Sequence, residues 1–247
     1  MNFRLLSHTM GYILWVEAGF LLLPALTACI YAETCWQQFL LTALLCAAAG
    51  TVLHLIPVKK AQMHSRDGFV AVALSWVLLS LFGALPYVFT GVLDSYIDAL
   101  FETVSGLTTT GSTVFPEVEH LPYSVLLWRS LTQWMGGMGI IVLLLAIIPG
   151  LGIEGRDLFV AEVPGPTHDK FTATFKSTAR RMWYLYISLT AAQAILLLLG
   201  NMDLFDAICH SFTTMATGGY STKQASLAYW DSAYIQYVVI IFMKSDL

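Results

Sequence analysis

Two short stretches of this chain hold residue types suited to a bare metal cation. They are Thr109-Thr110-Gly111, within "TVSGLTTTGSTVF" (103–115), and Thr217-Gly218-Gly219, within "TMATGGYST" (214–222). Neither triplet carries an ionisable side chain. What both offer is oxygen, from backbone carbonyls and threonine hydroxyls. Glycine adopts positive φ at little cost, so a Thr-Gly turn can aim successive carbonyls in one direction. Oxygens aimed in this way can replace the water shell of a cation. Acidic residues lie close by: Asp98 and Glu102 before the first triplet, Asp206 before the second. They raise the local cation concentration at such a mouth. A single Thr-rich turn more often only packs, its hydroxyls bonded to local backbone. Here the turn occurs twice. "DALFETVSGLTTTG" (98–111) aligns without gaps with "DAICHSFTTMATGG" (206–219), with identities at Asp98/Asp206, Ala99/Ala207, Thr109/Thr217 and Gly111/Gly219.

The elements that must position these turns are apolar helices. The 247 residues are 57% hydrophobic and 11% charged, against about 25% charged in soluble domains. Crossing a bilayer takes about 20 apolar helical residues. Stretches 10–31, 36–57, 69–90 and 124–148 meet this, and 183–199 does so if extended at one end. A sixth begins near Asp231, but 231–243 is about half the length a span needs, so the sequence reads as incomplete. With alternating spans, Arg4, the connection 57–68 (Lys59, Lys60, Arg66) and the connection 149–182 (Arg156, Lys170, Lys176, Arg180, Arg181) fall on one side. The opposite side holds 91–123, without Lys or Arg, and 200–230, whose only base is Lys223. The positive-inside rule puts the N-terminus in the cytoplasm and has both Thr-Gly turns enter from outside. A first helix with one Arg before it and no small-residue cleavage site reads as retained rather than as a cleaved signal. Each turn thus sits in a helix, re-entrant segment, helix plan, in which a short helix from about Asp98 to Leu107 dips in and the chain climbs out at Gly111. Non-helical backbone at membrane depth survives only when buried in protein or facing a water-filled path.

Other chemistry is poorly supported. Lys and Arg form no extended patch, so no nucleic acid is expected as a partner. Cys29, Cys35, Cys46 and Cys209 show no CxxC spacing and read as packing residues. His54, His64, His120, His168 and His210 show no metal-ligand spacing, and His8 has no evident partner. No paired carboxylates, nucleophile–base pair or phosphate loop lie in the apolar segments, so no enzyme is expected. Arg129 reads as an interfacial anchor snorkelling to water; the alternatives place it near the acidic mouth or against Glu102. Glu17, within the first span, reads as an interfacial or helix-contact residue. Gly136, Gly137 and Gly139 let helices approach closely, with a hinge as the weaker reading.

The motifs taken together resemble a known family. "LPYSVLLWRSLTQWMGGMGIIVLLLAIIPGLG" (121–152) after "ETVSGLTTTGSTV", "TMATGGYST" (214–222) and "RDGFVAVALSWVLLSLFGALPY" (66–87) closely resemble the membrane subunit of Trk-type potassium transporters, from about residue 60 onward. The resemblance implies an all-α membrane protein in which four helix–pore loop–helix repeats surround one path. Here it implies an N-terminal hairpin (1–57), a first repeat (58–150), a cytoplasmic connector (151–182) and a truncated second repeat (183–247). It implies that Gly111 and Gly219 are central filter glycines and that Thr109, Thr110, Thr217 and Gly218 contact the ion; by charge and position Asp98, Glu102, Asp206 and Arg129 are the candidates to line or support the mouth. The transported ion is expected to be K+. The implied partners are a second copy in a homodimer, a cytoplasmic nucleotide-binding regulatory subunit, and lipid of the bacterial inner membrane; the long polar connection 149–182 is either a contact for that subunit or a solvated connector. A sodium-permeable or non-selective relative is the alternative, disfavoured because Gly111 is glycine rather than serine. A third reading is an inactive membrane scaffold remnant.

Overall fold

The computed structural model describes residues 3–56, 65–139 and 174–245. Among them all regular structure is helical. Helices α1 (Phe3–Ile30) and α2 (Trp36–His54) form an antiparallel hairpin. Its two helices touch where glycines face each other. A Cβ on Gly11 would lie 2.7 Å from the Gly50 carbonyl oxygen, and one on Gly50 would lie 2.8 Å from that of Gly11. Small residues at such a crossing let two backbones come together where no water drives association. Nearby, Ser7 donates to the Leu53 carbonyl (3.1 Å), and His8 stacks on His54 with ring centroids 3.7 Å apart. His8 therefore has a partner that its sequence position does not suggest.

Helix α3 (Ser65–Gly83) is followed by the short α4 (Leu85–Phe89). Pro86 lies in the first turn of α4. A proline there lacks the N–H that would continue the preceding helix, and it is tolerated at a new helix start. Together the two supply one apolar stretch, Asp67–Phe89. Helix α5 (Tyr96–Leu107) follows, then the first Thr-Gly turn, then α6 (Tyr123–Gly137). Helix α7 (Thr174–Leu199) leads to α8 (Leu204–Met215), the second turn and α9 (Ala233–Ser245). The expected span 183–199 is thus longer at its N-terminal end, through Arg180 and Arg181. The expected span 124–148 is helical through Gly137, and its part beyond 139 lies outside the described residues.

Among the described residues four helical stretches are long and apolar enough to cross a membrane: Leu6–Ile30, Trp36–His54, Asp67–Phe89 and Arg180–Leu199. The outer faces of α1 and α2 expose Leu22, Leu23, Leu26, Leu40, Leu41 and Leu44. Helix α6 differs. Every residue from Ser124 to Met135 is buried, because the helix packs against α1, α5 and α8 together. It is the central pillar between the two turns. Glycines allow the approach: a Cβ on Gly136 would collide with the Leu107 carbonyl oxygen, and one on Gly137 would lie 2.7 Å from the Ala216 Cα. Gly136 therefore admits the end of α5 and Gly137 the end of α8, the close-packing role expected of them.

The hairpin is fastened to this pillar at the opposite end. Glu33, in the loop between α1 and α2, accepts the Tyr123 N–H (2.6 Å), the Ser124 N–H (3.2 Å) and the Ser124 hydroxyl (2.6 Å). Pro122, at the N-cap of α6, has no side chain that could do this. The free N–H groups of a helix start attract a carboxylate. Glu33→Ala should lower stability by about 1 kcal/mol, whereas Glu33→Gln, which keeps an acceptor, should lose less. Thermal melting of the detergent-solubilised chain measures both.

Candidate functional site

Both turns are built the same way. Helix α5 is capped by Ser95, whose hydroxyl accepts the Asp98 N–H (3.4 Å), and α8 by Asp203, which accepts the Phe205 N–H (3.0 Å). The helices end at equivalent residues, Leu107 and Met215. Beyond them Thr109 donates its N–H to Gly106 O and Thr217 to Thr214 O, each at 2.9 Å. Thr110 donates to Ser105 O and Gly218 to Thr213 O, again each at 2.9 Å. Thr109 and Thr217 have φ of 55° and 50°, and Gly111 and Gly219 have φ of 78° and 81°. A left-handed threonine is uncommon, and a pair of them at matched positions marks an imposed backbone. The internal repeat read from four identities is therefore a repeat of backbone conformation.

The two turns lie side by side. A Cβ on Gly111 would collide with the Gly218 carbonyl oxygen. Thr110, Thr217 and Gly219 are exposed, Thr109 and Gly111 are half-buried, and Gly218 is buried. Five of the six expected filter residues thus keep accessible surface, and the sixth is wedged between them and α6.

The acidic and basic residues do not all sit where a mouth would place them. Asp98 is exposed. Asp206 is buried, accepting the Thr222 hydroxyl (2.7 Å) and lying 3.6 Å from Lys223 Nζ. Glu102 is fully buried and Arg129 is 2% exposed, with Arg129 Nε 2.8 Å from Glu102 Oε1. Arg129 does not snorkel. It lies along a helix buried on all sides, with a buried carboxylate opposite, so the contact with Glu102 replaces water. Glu102 also accepts the Thr113 hydroxyl (3.0 Å) and the Val114 N–H (3.0 Å). Arg129 donates further to Ser221 O (3.3 Å) and Thr113 Oγ1 (3.1 Å), and its guanidinium sits 4.3 Å from the Tyr220 ring centroid. One ion pair thus grips the segments that leave both turns.

The second copy holds its exit segment with other groups, Asp206 on Thr222 and His210 on Ser221. His210 occupies the place of Glu102, and its Nε2 lies 3.3 Å from Ser221 Oγ, the counterpart of Thr113. Tyr220 crosses back to the first copy, its hydroxyl donating to Glu102 O (2.9 Å) and Ser112 O (3.2 Å). Gln133, on α6, accepts the Tyr220 N–H (3.0 Å). Sequence reasoning missed Tyr220 and Gln133. A polar Gln133 in an apolar run, one turn from Arg129, was the signal available.

Among the described residues no group of three or more His, Cys, Asp or Glu could hold a metal ion. Cys35 Sγ lies 3.0 Å from Ser124 Oγ, and the four cysteines are free. Glu17 is buried on α1, and a Cβ on Gly83 would lie 3.1 Å from its Oε1, a helix-contact position.

Two re-entrant turns, each entered by a short capped helix and packed on a shared central helix, define a pore-loop class of helical membrane protein. The chain belongs to the TrkH cation transport protein family, whose pattern matches residues 36–244. That match includes α2, so the likeness begins earlier than residue 60. The chain is 42% identical over 246 residues to the Trk system potassium uptake protein TrkH of Escherichia coli K12, covering 98% of this chain and 51% of that one. It is 37% identical over 238 residues to TrkG of the same organism, covering 95% and 49%. The crystal structure of the potassium transporter TrkH from Vibrio parahaemolyticus superposes with a TM-score of 0.83 at 38% identity, over 98% of this chain and 49% of that one. The chain spans about half the length of the relatives it matches.

Proposed function

We propose that the chain supplies two adjoining filter segments, Thr109-Thr110-Gly111 and Thr217-Gly218-Gly219, of a potassium-uptake path. The observation that carries this is the matched pair of strained turns set against each other, Gly111 against the Gly218 carbonyl. The relatives, potassium uptake proteins, support it. Chemistry on the ion is limited to exchanging water oxygens for carbonyl oxygens, which requires rigid spacing rather than reactive groups. The Arg129–Glu102 pair and Tyr220 supply that rigidity from behind. Asp98 stays exposed to attract cations, while Glu102, Asp206 and Arg129 act as supports. The path works in a bacterial inner membrane with the N-terminus in the cytoplasm. Its partners are a second copy and a cytoplasmic nucleotide-binding regulatory subunit that contacts the connector 149–182, of which 149–173 lie outside the described residues.

The test uses the whole chain fused to the part of the Escherichia coli relative that lies outside the match, in a strain lacking its own potassium uptake. Rubidium uptake competed by K+ and not by Na+ is expected. Uptake competed equally by Na+ would overturn the potassium reading. Orientation has a separate check. In a background without the exposed Cys29, Glu117→Cys should react with an impermeant thiol reagent added outside intact cells, and Arg180→Cys should not. Both positions are exposed, so reversed labelling would refute the topology.

A further inference from the structure

Gln133 is completely buried, yet its Nε2 has no hydrogen-bond partner. Its Oε1 is fixed, since it accepts the Tyr220 N–H just beyond the second turn. That bond sets the plane of the amide. The amide then fills the space in which a Gly218 side chain would stand: a Cβ there would lie 2.6 Å from both Nε2 and Oε1. The same Nε2 is 3.7 Å from the place of a Gly111 Cβ. One side chain of the central helix therefore occupies the space beside Gly218 and borders that beside Gly111. A buried donor without a partner is costly, and it faces two peptide segments rich in carbonyls.

We propose that Gln133 is a positioning residue that sets the spacing between the two filter segments and so determines discrimination between K+ and Na+; this rests on the reading of those turns as a filter. The amide acts as a spacer of fixed width. Its oxygen holds the second segment through Tyr220, and its NH2, without a hydrogen bond of its own, fills the space beside Gly218 and Gly111. Ions of different radius need different oxygen spacings, so a change in this width alters preference more than it alters folding.

Three variants separate the parts. Gln133→Glu keeps the size and the acceptor for Tyr220 but removes the NH2. Gln133→Met keeps the length and removes both polar groups. Gln133→Asn keeps the amide but withdraws it by one methylene. In the fused transporter, Gln133→Glu and Gln133→Met should each reduce the K+ over Na+ preference of rubidium uptake by about tenfold, and Gln133→Asn by less. In the 247-residue chain alone, Gln133→Met should speed amide hydrogen exchange at both 111–113 and 218–221. A preference within about twofold of the parent in Gln133→Glu and Gln133→Met, with Gly111→Ser still shifting it, would overturn the inference and leave the filter reading intact. Gly111→Ser without effect would overturn the filter reading. Faster exchange confined to α6, with both turns unchanged, would also overturn the role of Gln133, because it would mark a packing residue only.

Discussion

Arg129→Met should destabilise this chain by about 3–5 kcal/mol, the cost of stranding a buried charge. The Glu102 carboxylate is fully buried and would keep only the Thr113 hydroxyl and the Val114 N–H as donors. Ser221 O would lose its Arg129 donor as well, so both exit segments would loosen together. Glu102→Gln should be milder, because an amide oxygen still accepts from Val114 and Arg129 keeps Ser221 O and the Tyr220 face. Combining Arg129→Met with Glu102→Gln should recover much of the loss, since the stranded charge is gone. Thermal melting of the four proteins in detergent gives the coupling. Strict additivity of the two single changes would show that the ion pair does not hold the turns.

Gly111→Ser should have the other large effect, on selectivity. The serine would have to adopt φ near 78°, a strain of about 1–3 kcal/mol for a residue with a Cβ. That Cβ would also be driven into the Gly218 carbonyl oxygen. The second segment must move, and with it the oxygens placed to meet an ion. The K+ over Na+ preference of the fused transporter should fall by about tenfold or more, equivalent to at least about 1.4 kcal/mol. Gly219→Ser gives the control. Its φ is just as strained, at 81°, but nothing lies within 4 Å of the added Cβ. It should cost stability with a smaller change in preference. Equal loss of preference in both variants would mean that strain, not the contact between the segments, governs selectivity.

Much of this arrangement is legible in the sequence because it is local. The end of α5 follows from Thr and Gly residues after an apolar run, and the second turn follows by alignment with the first. The spans follow from length and hydropathy, apart from the start of α7, where Arg180 and Arg181 hide a continuing helix. The supports are not local. Glu33 meets α6 through residues about 90 positions away, and Tyr220 reaches Ser112 across a whole repeat. No periodicity records such pairings, which arise only once α6 is placed between α5 and α8. The burial of Arg129, against the interfacial anchor its sequence position suggests, has this cause. On an isolated helix a lone arginine reaches for water, but α6 has no face that meets it.

The pairing of Glu102 with Arg129 also bears on the order of biosynthesis. Helix α6 carries an arginine and a glutamine that are both buried, and an unaccompanied arginine at the centre of a helix costs about 2.5–3.5 kcal/mol to insert. The ribosome delivers Glu102 before Arg129. The acid can thus be waiting beside the translocon when the base emerges, and α6 can enter as the second half of a neutral pair. A chain in which the two residues are exchanged would present the same charges in the reverse order, with the arginine emerging first and its counter-ion still unmade.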